Sequence, residues 1–84
     1  MWTSKDNIRR VVCNARKHVA VMSKDQLDAK IWFDKTDEHA RANKKKDALW
    51  CLCVMSCILF EDELSHKKTR NDIISQIHHQ FQAY

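Results

Sequence analysis

Cysteine and histidine are the residues of this 84-residue chain with the most distinctive chemistry, and metal binding is the first function they suggest. A tetrahedral zinc site needs four thiolate or imidazole ligands. Cys51 and Cys53 would diverge by about 200° on a helix, whereas Cys53 and Cys57 at i,i+4 share a face and could bind a metal with histidines from elsewhere. All three lie in the most apolar stretch, where free cysteine packs as a small hydrophobe. We therefore expect no metal site and no cofactor.

Nucleophilic catalysis is the second chemistry to consider, and it needs an exposed nucleophile beside a base. Cys13 is the best candidate, because Arg9, Arg16 and Lys17 surround it on the first predicted helix and favour a thiolate. The alternative is a surface cysteine with no role. The acidic groups at positions 37–38 and 61–63 are explained by helix capping and i,i+4 pairing, so no general acid–base pair is evident. We expect no catalytic residues and no enzymatic activity.

The composition excludes several phosphate-binding and β-rich architectures. The chain has no glycine and no proline. Nucleotide-binding loops and nucleophile elbows need glycine for their tight turns and close backbone approaches. Two-residue β-hairpins also favour glycine, because their turn residues adopt positive φ. The sequence therefore argues against an all-β fold.

The segments that carry the other candidate residues show helical periodicity. A first helix should begin at Thr3 or Ser4, with Thr3 and Asp6 forming a capping box. A second start is predicted at positions 23–26 and a third at Thr36, where the following acids suit the helix dipole. Positions 37–47 are read as the exposed half of a long helix or as a helical connector. The apolar stripe of the first helix comprises Ile8, Val11, Val12, Ala15, Val19 and Met22.

Residues 48–60 are apolar on every side, which is typical of a helix enclosed by neighbours. A buried strand is the alternative for this stretch, but no other segment alternates to pair with it. The central helix is expected to continue past the acids at 61–63, because Glu63 with Lys67 and Asp62 with His66 would then pair at i,i+4. A last helix should open near Thr69 or Asn71. Its stripe comprises Ile73, Ile74, Ile77, Phe81 and Tyr84.

These elements predict an all-α protein, a small bundle of three to four helices around a hydrophobic central helix at about residues 48–60. Residues 1–84 should form a single helical domain. The central stretch is shorter than the about 20 residues that cross a bilayer, so we expect no membrane partner. The early charges leave no apolar core of a secretory signal. We therefore expect a cytoplasmic protein with reduced cysteines.

Basic residues suggest nucleic-acid binding as one function. Positions 1–46 hold twelve Lys and Arg against six Asp and Glu, although the net charge of the whole chain is only +4. Phosphate contacts by such residues would give a salt-dependent affinity. No recognition-helix motif or zinc finger accompanies them. The candidate cations are Lys5, Arg9, Arg10, Arg16 and Lys17 on the first helix, and Lys44, Lys45 and Lys46.

Aromatic residues suggest protein–protein interaction instead. Ile31, Trp32 and Phe33 cover most of a helix circumference, so one large side chain should leave the core that Ile31 enters. We take Trp32, Phe33 and Trp2 as interface anchors, because aromatic residues are enriched at binding hot spots. A second copy could also cover the apolar central helix. The leading hypothesis is a small, basic, non-enzymatic regulator that binds a protein partner as an inhibitor or adaptor and forms homo-oligomers.

Overall fold

The computed structural model describes residues 4–82, which form four α-helices and one 3₁₀ turn and contain no strand. The elements are α1 (Lys5–Ala20), a 3₁₀ turn (Lys24–Gln26), α2 (Ala29–Arg41), α3 (Lys45–Leu59) and α4 (Lys67–Phe81). The prediction of an all-α small helical bundle is confirmed. The predicted anchor Trp2 and the predicted positions Thr3 and Tyr84 lie outside the described residues.

Helix α3 is the centre of the bundle, because α1, α2 and α4 all pack against it. Most of its side chains are buried on every side of the helix, including three cysteines. The single buried hydroxyl of this helix, on Ser56, donates to the backbone carbonyl of Leu52 at 3.0 Å. The predicted apolar central helix is confirmed, with its start at Lys45 and its end at Leu59.

Helix α1 begins after Ser4, whose hydroxyl accepts a hydrogen bond from the backbone N–H of Asn7 at 3.3 Å. This N-cap satisfies one of the free amides of the first turn. The apolar stripe of α1 faces the core as predicted, and its fully buried members are Ile8, Val12, Ala15 and Val19.

Helix α2 begins later than predicted and runs through a predicted boundary. Residues 24–26 form only the 3₁₀ turn, and α2 starts after Asp28, whose carboxylate accepts from the backbone N–H of Lys30 at 3.0 Å. Thr36 is not a helix start. It is buried inside α2, and its hydroxyl donates to the carbonyl of Trp32 one turn earlier at 2.8 Å. That bond satisfies the hydroxyl within the helix, so it does not act as a cap.

The polar stretch at 37–47 is neither one long helix nor a connector, because it breaks at Asn43. Asn43 has a φ of 61°, in the left-handed region, where asparagine takes the place of the glycine that commonly ends a helix. Its N–H donates to the carbonyl of Ala40 at 3.1 Å, and the N–H of Lys44 donates to that of His39 at 2.8 Å. These two bonds close a Schellman motif, and the chain then reverses into α3.

The chain also leaves α3 earlier than predicted. Helix α3 stops at Leu59, residues 60–66 form a turn, and α4 begins at Lys67 rather than near Thr69 or Asn71. The turn buries Leu64 in the core with 1% exposure. Burying a leucine stabilises by about 1.5–3 kcal/mol, whereas each predicted i,i+4 ion pair would add only about 0.2–0.5 kcal/mol. The buried Leu64 therefore outweighs a continued helix.

Within the described residues, every helix is too short or too polar to cross a bilayer.

Candidate functional site

A groove of about 310 Å³ lies between α1 and α4. Its floor is apolar and is formed by Val12, Leu64 and Ile74. Four cations border this floor, namely Arg9 and Arg16 from α1 and Lys67 and Arg70 from α4. Cys13 and Asn71 complete the lining, and no acidic residue belongs to it. We call this feature the α1–α4 groove.

Helical spacing explains how the two walls form. On α1, Arg9, Cys13 and Arg16 stand at i, i+4 and i+7, so they project from one face beside Val12. On α4, the lining residues stand at i, i+3, i+4 and i+7, which is again a single face. These α4 residues are Lys67, Arg70, Asn71 and Ile74. The turn that buries Leu64 brings the second face opposite the first.

The two helices that form this groove carry more positive charge than α2. Helix α1 carries five Lys and Arg against one acid, and α4 carries three against one. Helix α2 has three of each sign. Lys67 and Arg70 lie in the first turn of α4, where the helix dipole adds positive potential. The groove is therefore a local concentration of positive charge.

One acid on α1, Asp6, offsets part of this charge. The carboxylate of Asp6 accepts a hydrogen bond from Arg9 at 3.1 Å. Both side chains are largely exposed, and such surface pairs contribute only about 0–1 kcal/mol. Arg9 can therefore exchange Asp6 for a stronger anionic partner at little cost.

The structure divides the predicted basic residues into groups. Arg9 and Arg16 line the α1–α4 groove, together with Lys67 and Arg70, which the sequence analysis did not single out. The other predicted cations are exposed and lie outside this groove, namely Lys5, Arg10 and Lys17 on α1 and Lys44, Lys45 and Lys46 at the start of α3. Arg10 and Lys17 follow Arg9 and Arg16 by one position, so their side chains leave α1 about 100° further round.

Lys46 lines a second groove of about 370 Å³, between α1 and α3. The other lining residues are Asn7, Val11, Leu49 and Trp50. The two predicted basic clusters thus contribute to different grooves.

The predicted anchor Trp32 is held by contacts within the chain. Its indole N–H donates to the carbonyl of Gln26 at 2.9 Å, which fixes the 3₁₀ turn against α2. Its ring lies 6.4 Å from that of His18, and the ammonium of Lys35 lies 4.5 Å above it. The ring of His18 in turn lies 5.5 Å from that of Trp50. Trp32 therefore joins α1 and α2.

The neighbours of Trp32 are more exposed. Ile31 and Phe33 are each 44% exposed, while Trp32 packs partly against the core. The expectation that Ile31 enters the core was wrong. The hydrogen bond and ring contacts of Trp32 decide which member of the triplet turns inward, and the two flanking side chains then point outward.

The cysteines divide into one exposed and three buried thiols, as predicted. Burial raises the pKa of the Cys57 thiol to about 11, although Arg16 partly opposes this effect. Burial also raises the pKa of Cys53 and of Cys51. The thiol of Cys57 donates to the carbonyl of Val12 at 3.7 Å, so it helps join α3 to α1. These three thiols are packing groups of the core.

Metal-ligating side chains do not gather within residues 4–82, where no group of three His, Cys, Asp or Glu could hold an ion.

No protein-family model, curated protein or solved structure matches the chain.

Proposed function

We propose that this chain is a small, non-enzymatic binding protein whose α1–α4 groove takes an acidic surface of a protein partner. The observation that carries the proposal is the set of four cations around an apolar floor. Arginine offers planar, bidentate donors that match carboxylate geometry, and three of these four cations are arginines. Such a protein would act as an inhibitor or adaptor by occupying its partner's surface.

The apolar floor favours a protein over a nucleic acid. Proteins that bind single strands present aromatic side chains on which bases stack, and proteins that bind duplexes follow the phosphates with rows of cations. The groove is lined by aliphatic side chains between its cations. A protein surface supplies both the carboxylates and the apolar side chains that would match it. Nucleic acid remains the second candidate, because α1 carries further exposed cations at Lys5, Arg10 and Lys17.

Self-association is the second part of the proposal, and α2 is the surface we assign to it. Two copies would repel each other at the basic α1–α4 groove, whereas α2 carries balanced charge and the half-exposed Ile31 and Phe33. Replacing Phe33 with serine should shift the protein towards a monomer in light scattering, with the helical signal in circular dichroism unchanged. A wild-type protein that is monomeric at millimolar concentration would contradict this part.

Two further features support a non-enzymatic, cytoplasmic protein. Burial raises the pKa of the three core thiols, which disfavours their use as nucleophiles. Free thiols as packing groups suit a reducing compartment such as the cytoplasm.

The test compares two double charge reversals in a pull-down from the source cells. Arg16→Glu with Arg70→Glu changes the groove, while Arg10→Glu with Lys17→Glu makes the same change of charge on exposed positions outside it. We expect the groove variant to lose the partner and the matched variant to retain most of it. The partner should still be captured after nuclease treatment, and added salt should then release it.

Two results would contradict the proposal. Equal losses in both variants would mean that the overall charge, and not the groove, attracts the partner. Loss of the partner after nuclease treatment, with direct retention of labelled DNA or RNA at about 50 mM salt, would favour the nucleic-acid function instead.

A further inference from the structure

We infer that the α1–α4 groove recognises an acidic peptide segment with one large apolar side chain, which inserts between the helices while flanking carboxylates meet the four cations. This inference rests on the proposed function and specifies the part of the partner that is bound. It follows from the size of the groove, the order of its apolar and charged groups, and the spacing of the cations.

At about 310 Å³ the groove lies at the lower end of the range of ligand pockets, about 300–1,000 Å³, which suits one large side chain better than a larger folded segment. A volume of 310 Å³ corresponds to about ten water molecules at roughly 30 Å³ each. Water over the apolar floor of Val12, Leu64 and Ile74 finds few partners there, so a large apolar side chain would displace it favourably. The apolar group thus belongs in the centre and the charges belong at the edges.

The spacing of the cations favours several carboxylates over one phosphate. Arg9 and Arg16 are seven residues apart, which is about 10.5 Å along α1. An extended peptide covers this distance in about three residues at roughly 3.3 Å each. Carboxylates on either side of one central residue therefore reach both arginines, whereas a single phosphate group is too small to do so. Lys67 and Arg70 supply cations on the opposite wall.

Peptide binding by fluorescence polarisation tests the inference directly. The probe is a fluorescein-labelled peptide of sequence SDEFEDS, and the matched peptides are SDEAEDS, which lacks the apolar side chain, and SKKFKKS, which reverses the charge. We expect SDEFEDS to bind at least tenfold more tightly than SDEAEDS, and SKKFKKS not to bind. Inorganic phosphate at millimolar concentration should compete weakly. Equal affinity for the first two peptides would overturn the inference.

Cys13 provides a second test that leaves the core intact. It is the exposed thiol among the four and lines the groove, so N-ethylmaleimide should add one adduct there while the buried thiols react slowly. The adduct occupies the space of the apolar side chain, and we expect a loss of at least tenfold in affinity for SDEFEDS. The control compares treated with untreated Cys13→Ser protein, which should differ little in affinity because the reactive thiol is absent. Unchanged binding by the singly modified protein would overturn the inference.

The two proposals fail in different ways. If Arg16→Glu with Arg70→Glu abolishes partner capture but the peptide and alkylation experiments show no effect, the acidic partner stands and the inserted side chain does not. If that double variant retains the partner, the proposed function fails, whatever the peptides do.

Discussion

Replacing Leu64 with alanine tests the turn that sets α4 against α1. Leu64 is 1% exposed in the 60–66 turn and also forms part of the groove floor. Leucine-to-alanine changes in cores cost about 2–5 kcal/mol, from lost transfer free energy and from the cavity left behind. An 84-residue domain has a total stability of roughly 4–13 kcal/mol. This single change should therefore remove a large part of the free energy of unfolding.

Urea denaturation followed by circular dichroism at 222 nm measures the effect. With an m-value of about 1.5 kcal/mol/M, a loss of about 3 kcal/mol lowers the unfolding midpoint by about 2 M. The control is Leu59→Ala, the same chemical change five residues earlier at a position 57% exposed, which should cost about 1 kcal/mol or less.

A Leu64→Ala variant no more destabilised than Leu59→Ala would contradict the burial of Leu64 in the core. That result is the one expected if α3 continued as an exposed helix through the acids at 61–63, since alanine is a good helix former. It would also remove the physical basis for the position of α4.

Three further substitutions test a side-chain hydrogen bond, a helix end and a buried thiol. Trp32→Phe removes the indole donor to the Gln26 carbonyl and should cost about 1 kcal/mol in urea unfolding, with faster amide exchange in the 3₁₀ turn. Asn43→Ala should cost about 1 kcal/mol because its φ is 61°, while Asn43→Gly at the same position should be neutral or slightly stabilising. Because the pKa of Cys57 is raised to about 11 in the folded protein, the stability that its protonated thiol contributes is complete below pH 9 and is lost as the pH rises through about 11. The urea midpoint should therefore fall over that interval. In Cys57→Ala the midpoint should fall less steeply.

The parts of the fold that sequence predicts well are those fixed by burial alone. Residues 48–60 are apolar on every side, and because no other segment has the pattern of a strand that could pair with them, an enclosed helix is favoured. The stripes of α1 and α4 follow for the same reason, because their buried residues recur once per turn.

Helix boundaries were predicted less well, because competing local signals have similar energies. Thr36 followed by two acids reads as a helix start, yet the same hydroxyl bonds equally well to the carbonyl one turn earlier. Asn43 marks the boundary between α2 and α3, which was not predicted. In a chain without glycine, asparagine is the residue best able to adopt positive φ, yet Asn71 lies inside α4, so asparagine alone does not identify a helix end.

The candidate site depends on one of these boundaries, which explains why only half of it was predicted. Arg9 and Arg16 were identified because α1 was placed correctly. Lys67 and Arg70 join them only because the chain leaves α3 at Leu59 and buries Leu64, so that α4 starts two to four residues earlier than its capping signals indicate. A helix continued through residue 66 would have carried those two cations away along the axis of α3. The groove and its charge are thus a consequence of burying one leucine.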